Sequence, residues 1–300
     1  MSKSALLKSS IAKKYWMAMT GLFLCLFLVG HLLGNLQLFS GTEEGRQAFN
    51  GYGYFMGHNI FIKIMSYLTY ASILFHAIDG FLLTRQNIKA RPIGYAKNNA
   101  AANSSSSSRN MALLGSAILI FIVMHMANFW WAIKWSSTPF PLHTIELEIP
   151  SQMPGAPQQK QEIYYTHDFS TQPVPKNDDV IVKNKTELYI KSVDVKIGEG
   201  YKDMHSLVYA FFGHDKSRIG KDGKEEGFKA NEFALLAVVG YVLSMLILAF
   251  HLNHGFGSAF QSLGLRHPRY TNLITLTGKG FAYLIPLAFA IIPVYIYLTK

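Results

Sequence analysis

Long runs of apolar residues alternate with polar segments along the chain. Five runs are long enough to cross a bilayer as helices, since about 20 apolar residues span its hydrocarbon. They cover residues 15–39, 61–84, 111–135, 233–256 and 274–298. The first run carries no charge and no small-residue cleavage site follows it, so it is not read as a cleaved signal peptide. The pattern predicts an all-α membrane protein, a bundle of five transmembrane helices.

One polar segment is much longer than the others and divides the chain into three parts: helices one to three in 1–135, an extracytoplasmic insertion in 136–230, and helices four and five in 231–300. Alternating apolar and polar residues predict strands in this insertion. These strands are 145–149, 180–182 and 188–195. We therefore expect a small β-containing insertion. Residues 205–212 are expected to lie along the membrane surface before helix four.

Basic residues lie on one side of the predicted helices. They precede helix one and occupy the segments joining helices two to three and four to five: Lys3, Lys8, Lys13, Lys14, Arg85, Lys89, Arg91, Lys97, Arg109, Arg266 and Arg269. Of the 18 acidic residues, all but Asp79 lie in the other two connections or at their helix ends. The positive-inside rule therefore predicts a cytoplasmic N-terminus and an extracytoplasmic C-terminus.

The net charge of +10 is thus read as a topology signal. Nucleic-acid binding is not predicted, because no soluble module interleaves basic and aromatic residues. The same basic residues would attract the headgroups of anionic membrane lipids. The segment with three alanines, Asn103 and five serines at 104–108 predicts a flexible linker. The single cysteine, Cys25, excludes a disulfide framework and is expected to be a small packed hydrophobe.

Each of the first four predicted helices contains a histidine at membrane depth, which the helix rise of about 1.5 Å per residue allows us to estimate. His31 and His125 lie about 16 and 14 residues from the cytoplasmic ends of their helices, in the outer half. His76 and His251 lie about 15 and 18 residues from the outer ends, in the inner half. Two imidazoles facing each other across a bundle are typical axial ligands of a haem. The spacing predicts two stacked b-type haems, one on each pair.

Small residues near these histidines are expected to make room for a flat macrocycle: Gly30, Gly34, Ser72, Gly80 and Gly255. No Cys-x-x-Cys-His motif occurs, so covalent haem attachment is not predicted. His254 competes with His251 as a ligand and would otherwise bond a haem propionate. The alternative reading makes the histidines interhelical hydrogen bonders. The histidines of the insertion lack metal-ligand spacing among themselves and are expected to have solvated or capping roles. They are His143, His167, His205 and His214.

Several motifs resemble the cytochrome b subunit of bacterial succinate dehydrogenase and fumarate reductase, in its single-chain, five-helix, di-haem form. They are Lys13-Lys14, Met19-Thr20-Gly21, Gly30-His31-Leu32-Leu33-Gly34-Asn35-Leu36, Phe75-His76-Ala77, Phe250-His251-Leu252-Asn253-His254-Gly255-Phe256 and Ala259-Phe260-Gln261-Ser262-Leu263-Gly264. The resemblance covers all five predicted helices. It leaves out the insertion, which is longer than expected for that family.

The resemblance implies a membrane anchor in the bacterial inner membrane. Its partners on the cytoplasmic face would be a flavoprotein with FAD, which oxidises succinate, and an iron–sulfur protein. Electrons would pass from the iron–sulfur clusters to the inner haem and then to the outer haem. A quinone, in this family type usually menaquinone, would be reduced, or a quinol oxidised in the fumarate direction.

Quinone chemistry needs a proton donor or acceptor beside the ring. Candidates near the outer haem are Asn35, Gln37, Glu43, Glu44 and Asn128. Candidates for pairing with haem propionates or for docking a partner are Arg85, Arg91, Arg266 and His267. Asp79 is expected to bond a helix end or a water near a propionate.

Two other functions fit parts of the pattern. A di-haem cytochrome b can anchor a different dehydrogenase, such as a hydrogenase or a formate dehydrogenase. A haem-free transporter or channel is disfavoured, because the sequence shows no inverted repeat and no pair of broken helices.

Overall fold

A computed structural model describes residues 9–90, 92–93, 99, 102, 104–135, 139–149, 159–167, 173–220, 223 and 225–300. Within this part of the chain, five helices are long and apolar enough to cross a membrane. In order they are span one (Ser10–Phe39), span two (Ile60–Ala90), span three (Met111–Trp135), span four (Ala234–Ser262) and span five (Thr271–Leu298). The predicted five-span architecture of a multi-pass membrane protein is therefore present, with each span at or near its predicted position.

The chain forms two compact units. The helical unit comprises residues 1–36, 60–125 and 236–295, and the insertion unit comprises 37–59, 126–235 and 296–300, each within the described residues. The insertion unit thus includes the connection between spans one and two as well as the long polar segment. Span three divides between the units at His125, which is followed by a π-helical stretch at Met126–Trp131 and a last helical turn at Ala132–Trp135.

The helical unit is held together by close side-chain packing between its spans. Ser9 caps span one by accepting a hydrogen bond from the Ala12 amide, and spans one and two lie along each other. Cys25 is a free, buried thiol packed against Leu252 and Ala282, in keeping with the packing role expected of it. Spans four and five approach closely at Gly278, where an added Cβ would lie 2.6 Å from Phe256.

The described residues of the insertion unit form three antiparallel sheets. The first joins β1 (Thr144–Ile149), β2 (Gln159–Tyr164) and β3 (Val174–Pro175). The second joins β4 (Val180–Lys183), β5 (Glu187–Ile190) and β6 (Val195–Glu199), and the third joins β7 (Lys216–Ile219) and β8 (Glu225–Phe228). The predicted strands at 145–149 and 180–182 are confirmed as β1 and β4.

The prediction of one strand over 188–195 was wrong. The chain turns between β5 and β6, and Asp194 adopts φ 50°, a left-handed conformation that Asp tolerates better than most residues. Ile190 therefore pairs with Val195 across the turn. Apolar residues alternate on both sides of the turn, at Leu188 and Ile190 and then at Val193 and Val195, but the alternation changes phase between Ile190 and Val193.

Two short helices occupy segments that the sequence pattern left irregular. Helix α1 (Glu43–His58) lies between spans one and two, and the Thr42 side chain caps it by accepting a hydrogen bond from the Gly45 amide at 3.3 Å. Helix α2 (Ser106–Arg109) lies in the serine run, where Ser105 accepts a hydrogen bond from the Ser108 amide at 3.2 Å. The flexible-linker prediction was therefore wrong for residues 106–108, since a serine hydroxyl is a good helix cap. Residues 100, 101 and 103 and Arg91 lie outside the described residues.

Candidate functional site

Two pairs of histidine rings face each other in the helical unit. The ring centroids of His31 and His125 are 5.9 Å apart, and the ring planes are inclined by 85°. Those of His76 and His251 are 6.2 Å apart and inclined by 70°. These are the two pairs that the depth estimate predicted. The structure thus brings together the side chains that the sequence placed at equal depth.

The spacing within each pair suits two ligands of one metal ion. Imidazoles bound on opposite sides of a metal, with metal–nitrogen bonds of about 2.0 Å, have ring centroids roughly 6 Å apart. Among the described residues, no group of three or more His, Cys, Asp or Glu side chains is placed to hold a metal ion. A pair of histidines can supply the two axial ligands of a metal whose other ligands come from a macrocycle, as in haem.

A threonine hydroxyl orients the His76 ring. Thr20 Oγ1 lies 3.3 Å from His76 Nδ1 and donates its own proton to the carbonyls of Trp16 and Met17, at 3.0 and 3.1 Å. In the tautomer of His76 that carries its proton on Nδ1, this ring nitrogen donates to the Thr20 oxygen. The proton on Nδ1 leaves Nε2 unprotonated, which is the form that binds a metal.

Both histidines of the inner pair lie against glycines of neighbouring spans, and the approach is tight at Gly21. A Cβ added at Gly21 of span one would lie 3.2 Å from His76 Cε1, and one added at Gly115 of span three would lie 3.6 Å from His251 Cε1. Nδ1 of His251 is buried and has no hydrogen-bond partner among the described residues. His254, the alternative ligand, instead has its Nε2 3.1 Å from Ser258 Oγ on its own helix.

Aromatic side chains surround the outer pair. His31 stacks on Phe27 with centroids 5.3 Å apart and contacts Phe289 of span five at 5.6 Å. Nδ1 of His125 lies 3.3 Å from the Tyr241 hydroxyl. His125 also ends the regular part of span three, directly before the π-helical stretch. Such stretches are frequent at functional sites.

The small residues predicted to clear space have different surroundings. An added Cβ at Gly30 or Gly255 would meet no atom within 4 Å, and one at Gly80 would lie 3.6 Å from Met17 Cε. Gly34 is buried, and Ser72 is half-buried. Open space therefore adjoins Gly30, the residue before His31.

The predicted quinone-site residues fall in different settings. In the helical unit, Asn35 Nδ2 donates a hydrogen bond to the His31 carbonyl at 2.7 Å. In the insertion unit, Gln37 and Asn128 are half-buried, and Glu44 is exposed in the first turn of α1. Of the predicted propionate or docking residues, Arg85 and Arg266 are exposed.

Glu43 belongs to a buried polar network inside the insertion unit. Its Oε1 lies 2.6 Å from Nε2 of His143, and the Asn50 amide lies 3.1 Å from the other ring nitrogen. Asn50 and Arg46 both donate to Asp203, at 3.0 and 2.7 Å. This network joins α1 to His143, just before β1, and to Asp203, which follows β6.

Helix α3 (Met204–Phe211) begins beside that network. The amide of His205 donates to Asn50 Oδ1 at 2.9 Å, and its Nε2 lies 3.0 Å from the Ser40 carbonyl. His143 is 0% exposed and His205 is 1% exposed. The expectation of solvated or capping roles was therefore wrong for these two, because the partners on α1 were not foreseen. His167 is exposed, and His214 Nε2 donates to the Ile296 carbonyl at 2.7 Å.

Charge in the network follows from its contacts. Burial raises the pKa of Asp203, but hydrogen bonds and charge from Arg46 outweigh it and bring the pKa to about 2. Glu43 behaves likewise: burial raises its pKa, and His143 and Arg46 lower it below its usual value. Burial lowers the pKa of His205 to about 4. At neutral pH the network thus holds charged carboxylates and a neutral His205.

Sequence reasoning missed several residues that contact the paired histidines, among them Thr20, Gly21, Phe27, Gly115, Tyr241 and Phe289. Thr20 and Gly21 lay within a motif of the resemblance, which was their only signal. Comparison with family models, with curated proteins and with solved structures finds no match for this chain. The chemistry of the site is accordingly inferred from its residues and their geometry.

Proposed function

We propose that this chain is the membrane-anchoring di-haem cytochrome b subunit of a succinate:quinone oxidoreductase. The observation that carries the proposal is the facing of two histidine rings at each of two positions, His31 with His125 and His76 with His251. Each pair would hold one b-type haem, and the two haems would supply one-electron transfer across the membrane. The motif resemblance supplies the choice of complex.

The chain's own residues prepare the ligands. Thr20 would hold the proton of His76 on Nδ1 and leave Nε2 free to bind the haem iron. Phe27 and Phe289 give the His31 ring apolar neighbours. Apolar surroundings of a ligand help to set the reduction potential of a haem.

The proposed partners follow from the resemblance and the charge pattern. A flavoprotein with FAD would carry the dicarboxylate chemistry, and an iron–sulfur protein would deliver electrons at the basic, acid-free cytoplasmic side. Arg85 and Arg266, both exposed, suit docking of an acidic surface. The quinone, in this proposal menaquinone, would exchange protons with groups near the outer pair, for which Asn35 is the candidate in the same unit as His31.

The test is haem content. The purified chain should contain two low-spin b haems by the pyridine haemochrome assay, and His31→Ala and His76→Ala should each lose one, because a remaining single imidazole holds haem weakly. His167→Ala, which removes an exposed ring, is the matched control and should keep both haems. Absence of haem, or two haems in both ligand variants, would refute the proposal.

Co-purifying subunits then identify the complex. A flavin-containing protein and an iron–sulfur protein are expected with the chain in mild detergent. A nickel or molybdenum enzyme in their place would keep the di-haem assignment and reassign the anchor to a hydrogenase or a formate dehydrogenase.

A further inference from the structure

Three lysines of the insertion unit converge on the last turn of span three. Lys134 belongs to that turn. The ammonium of Lys185 donates a hydrogen bond to the Lys134 carbonyl at 2.9 Å, and that of Lys202 donates to the Ile133 carbonyl at 2.8 Å. The two carbonyls belong to consecutive residues, so the ammonium groups gather around one helix end.

Local structure places these lysines. The last carbonyls of a helix have no partner within it and carry partial negative charge, which favours cations there. Lys185 lies in the tight turn between β4 and β5, where Asn184 and Lys185 adopt φ 49° and 74°. Lys202 is half-buried, with its ammonium 5.8 Å from the centre of the Phe140 ring. The turn and the Phe140 contact hold two of the three charges against the helix end.

The positive charge of this cluster is not balanced within the described part of the chain. No carboxylate there forms an ion pair with any of the three lysines, whereas other lysines of the unit pair with acids: Lys160, Lys176, Lys183, Lys196 and Lys229. Burial, and then repulsion from Lys134 and Lys185, lowers the pKa of Lys202. Each ammonium has three N–H donors, and Lys185 and Lys202 each give one to the helix. The remaining donors suit an anion with several oxygens, such as a phosphate.

The same helix end has the features of a membrane–water interface. Trp131 and Trp135 are 56% and 62% exposed, and their rings stack with centroids 6.0 Å apart. Exposed tryptophans at the end of an apolar span typically lie at the depth of lipid headgroups. At the depth of the headgroups, the phosphate groups that could reach these lysines are those of lipids. We propose that Lys134, Lys185 and Lys202 bind the phosphate of an anionic phospholipid, with Trp131 and Trp135 against its glycerol and upper acyl region.

The test measures lipid binding by native mass spectrometry of the purified full chain. The variant Lys134→Gln/Lys185→Gln removes two charges at exposed side chains and keeps Lys202. The control Lys160→Gln/Lys191→Gln makes the same charge change at two other exposed lysines of the unit. Phosphatidylglycerol affinity should fall about tenfold or more in the first variant, since each surface lysine contributes on the order of a factor of five. The control should stay close to wild type.

Two further arms identify the ligand. Phosphatidylcholine, with no net charge, should bind more weakly and equally to all three proteins. Inorganic phosphate should not displace phosphatidylglycerol; complete displacement would show a free-phosphate site and overturn the lipid assignment. Equal phosphatidylglycerol binding by wild type and the first variant, or an equal loss in the control, would also overturn it. Should the double variant fail to fold, Lys134→Gln alone should still lower the affinity severalfold. This substitution leaves in place the Lys134 carbonyl that accepts from Lys185.

Discussion

At the scale of single residues, the molecule shows how a polar ring is accommodated in apolar helices. Three of the paired histidines have a polar or aromatic neighbour: a hydroxyl for His76 and for His125, and an aromatic ring for His31. Polar groups at membrane depth are costly unless they are paired. The hydroxyl contacts supply a polar partner for His76 and His125, whereas Nδ1 of His251 has none among the described residues.

Thr20 is expected to act as a positioning residue for His76. If the proposed function is correct, Thr20→Val should remove the acceptor for Nδ1–H and weaken haem retention at one site about 10–100-fold. The midpoint potential of that haem alone should also shift. Thr20→Ser keeps a hydroxyl and should restore both properties.

Redox titration monitored by absorbance and haem retention on dilution measure this effect. Two haems with unchanged potentials and unchanged retention in Thr20→Val would contradict the role of Thr20. That result would leave the assignment of the four histidines as haem ligands intact. Absence of haem from the wild type would refute the ligand assignment.

At the scale of elements, the insertion unit is held together by polar contacts between α1 and the start of α3. Arg46 and Asn50 of α1 reach Asp203, which caps α3 by accepting from the Ser206 amide at 3.2 Å. Tyr209 of α3 donates to the Leu38 carbonyl at 2.9 Å. Removing one partner of a buried ion pair leaves an uncompensated charge, so these two helices depend on each other.

This arrangement predicts that α1 and α3 lose stability in acid in two stages. His205 has a folded pKa of about 4 against an ordinary 6.5, so the unfolded state binds its proton first and stability falls from pH 6.5 to about 4. Asp203 has a folded pKa of about 2 against 3.8. Its contribution is present above pH 3.8 and is lost as the pH falls towards 2. The His205 step is worth about 3 kcal/mol and the Asp203 step about 2 kcal/mol.

Hydrogen–deuterium exchange of residues 43–58 and 204–211, corrected for intrinsic rates, measures this stability. His205→Gln keeps a donor for the Ser40 carbonyl but cannot titrate, so the loss between pH 6.5 and 4 should disappear. His167→Gln replaces an exposed ring and should follow the wild type. An identical pH dependence in wild type and His205→Gln would contradict the prediction.

At the scale of the whole molecule, the charge pattern sets the expected orientation. The three acid-free segments with Lys and Arg should face the cytoplasm, because translocating such segments is unfavourable. A reporter enzyme active only outside the cytoplasm should therefore work when fused after residue 300 or within 204–231, and fail when fused at residue 99. The reverse pattern of activity would show the opposite orientation. Replacing Arg85, Lys89 and Arg109 by Gln should make the orientation mixed.

The sequence by itself determined the features that depend on local periodicity. Runs of apolar residues located the five spans, and the constant helix rise converted positions along them into depths, so that His31 with His125 and His76 with His251 were paired before any contact was known. Alternation located β1 and β4. It missed β2, β3, β7 and β8, where polar residues predominate or the strand is only two residues long.

Only the tertiary structure decided the features that depend on distant residues. His143 and His205 are buried because Asn50, 93 and 155 positions earlier in the chain, supplies hydrogen bonds to both. The Nδ1 atom of His76 has its proton acceptor on Thr20, 56 residues away. Such partners leave no periodic trace, because a hydrogen bond is satisfied by proximity in space. The sequence could therefore place the histidines at their depths, and only the fold could supply the side chains that orient them.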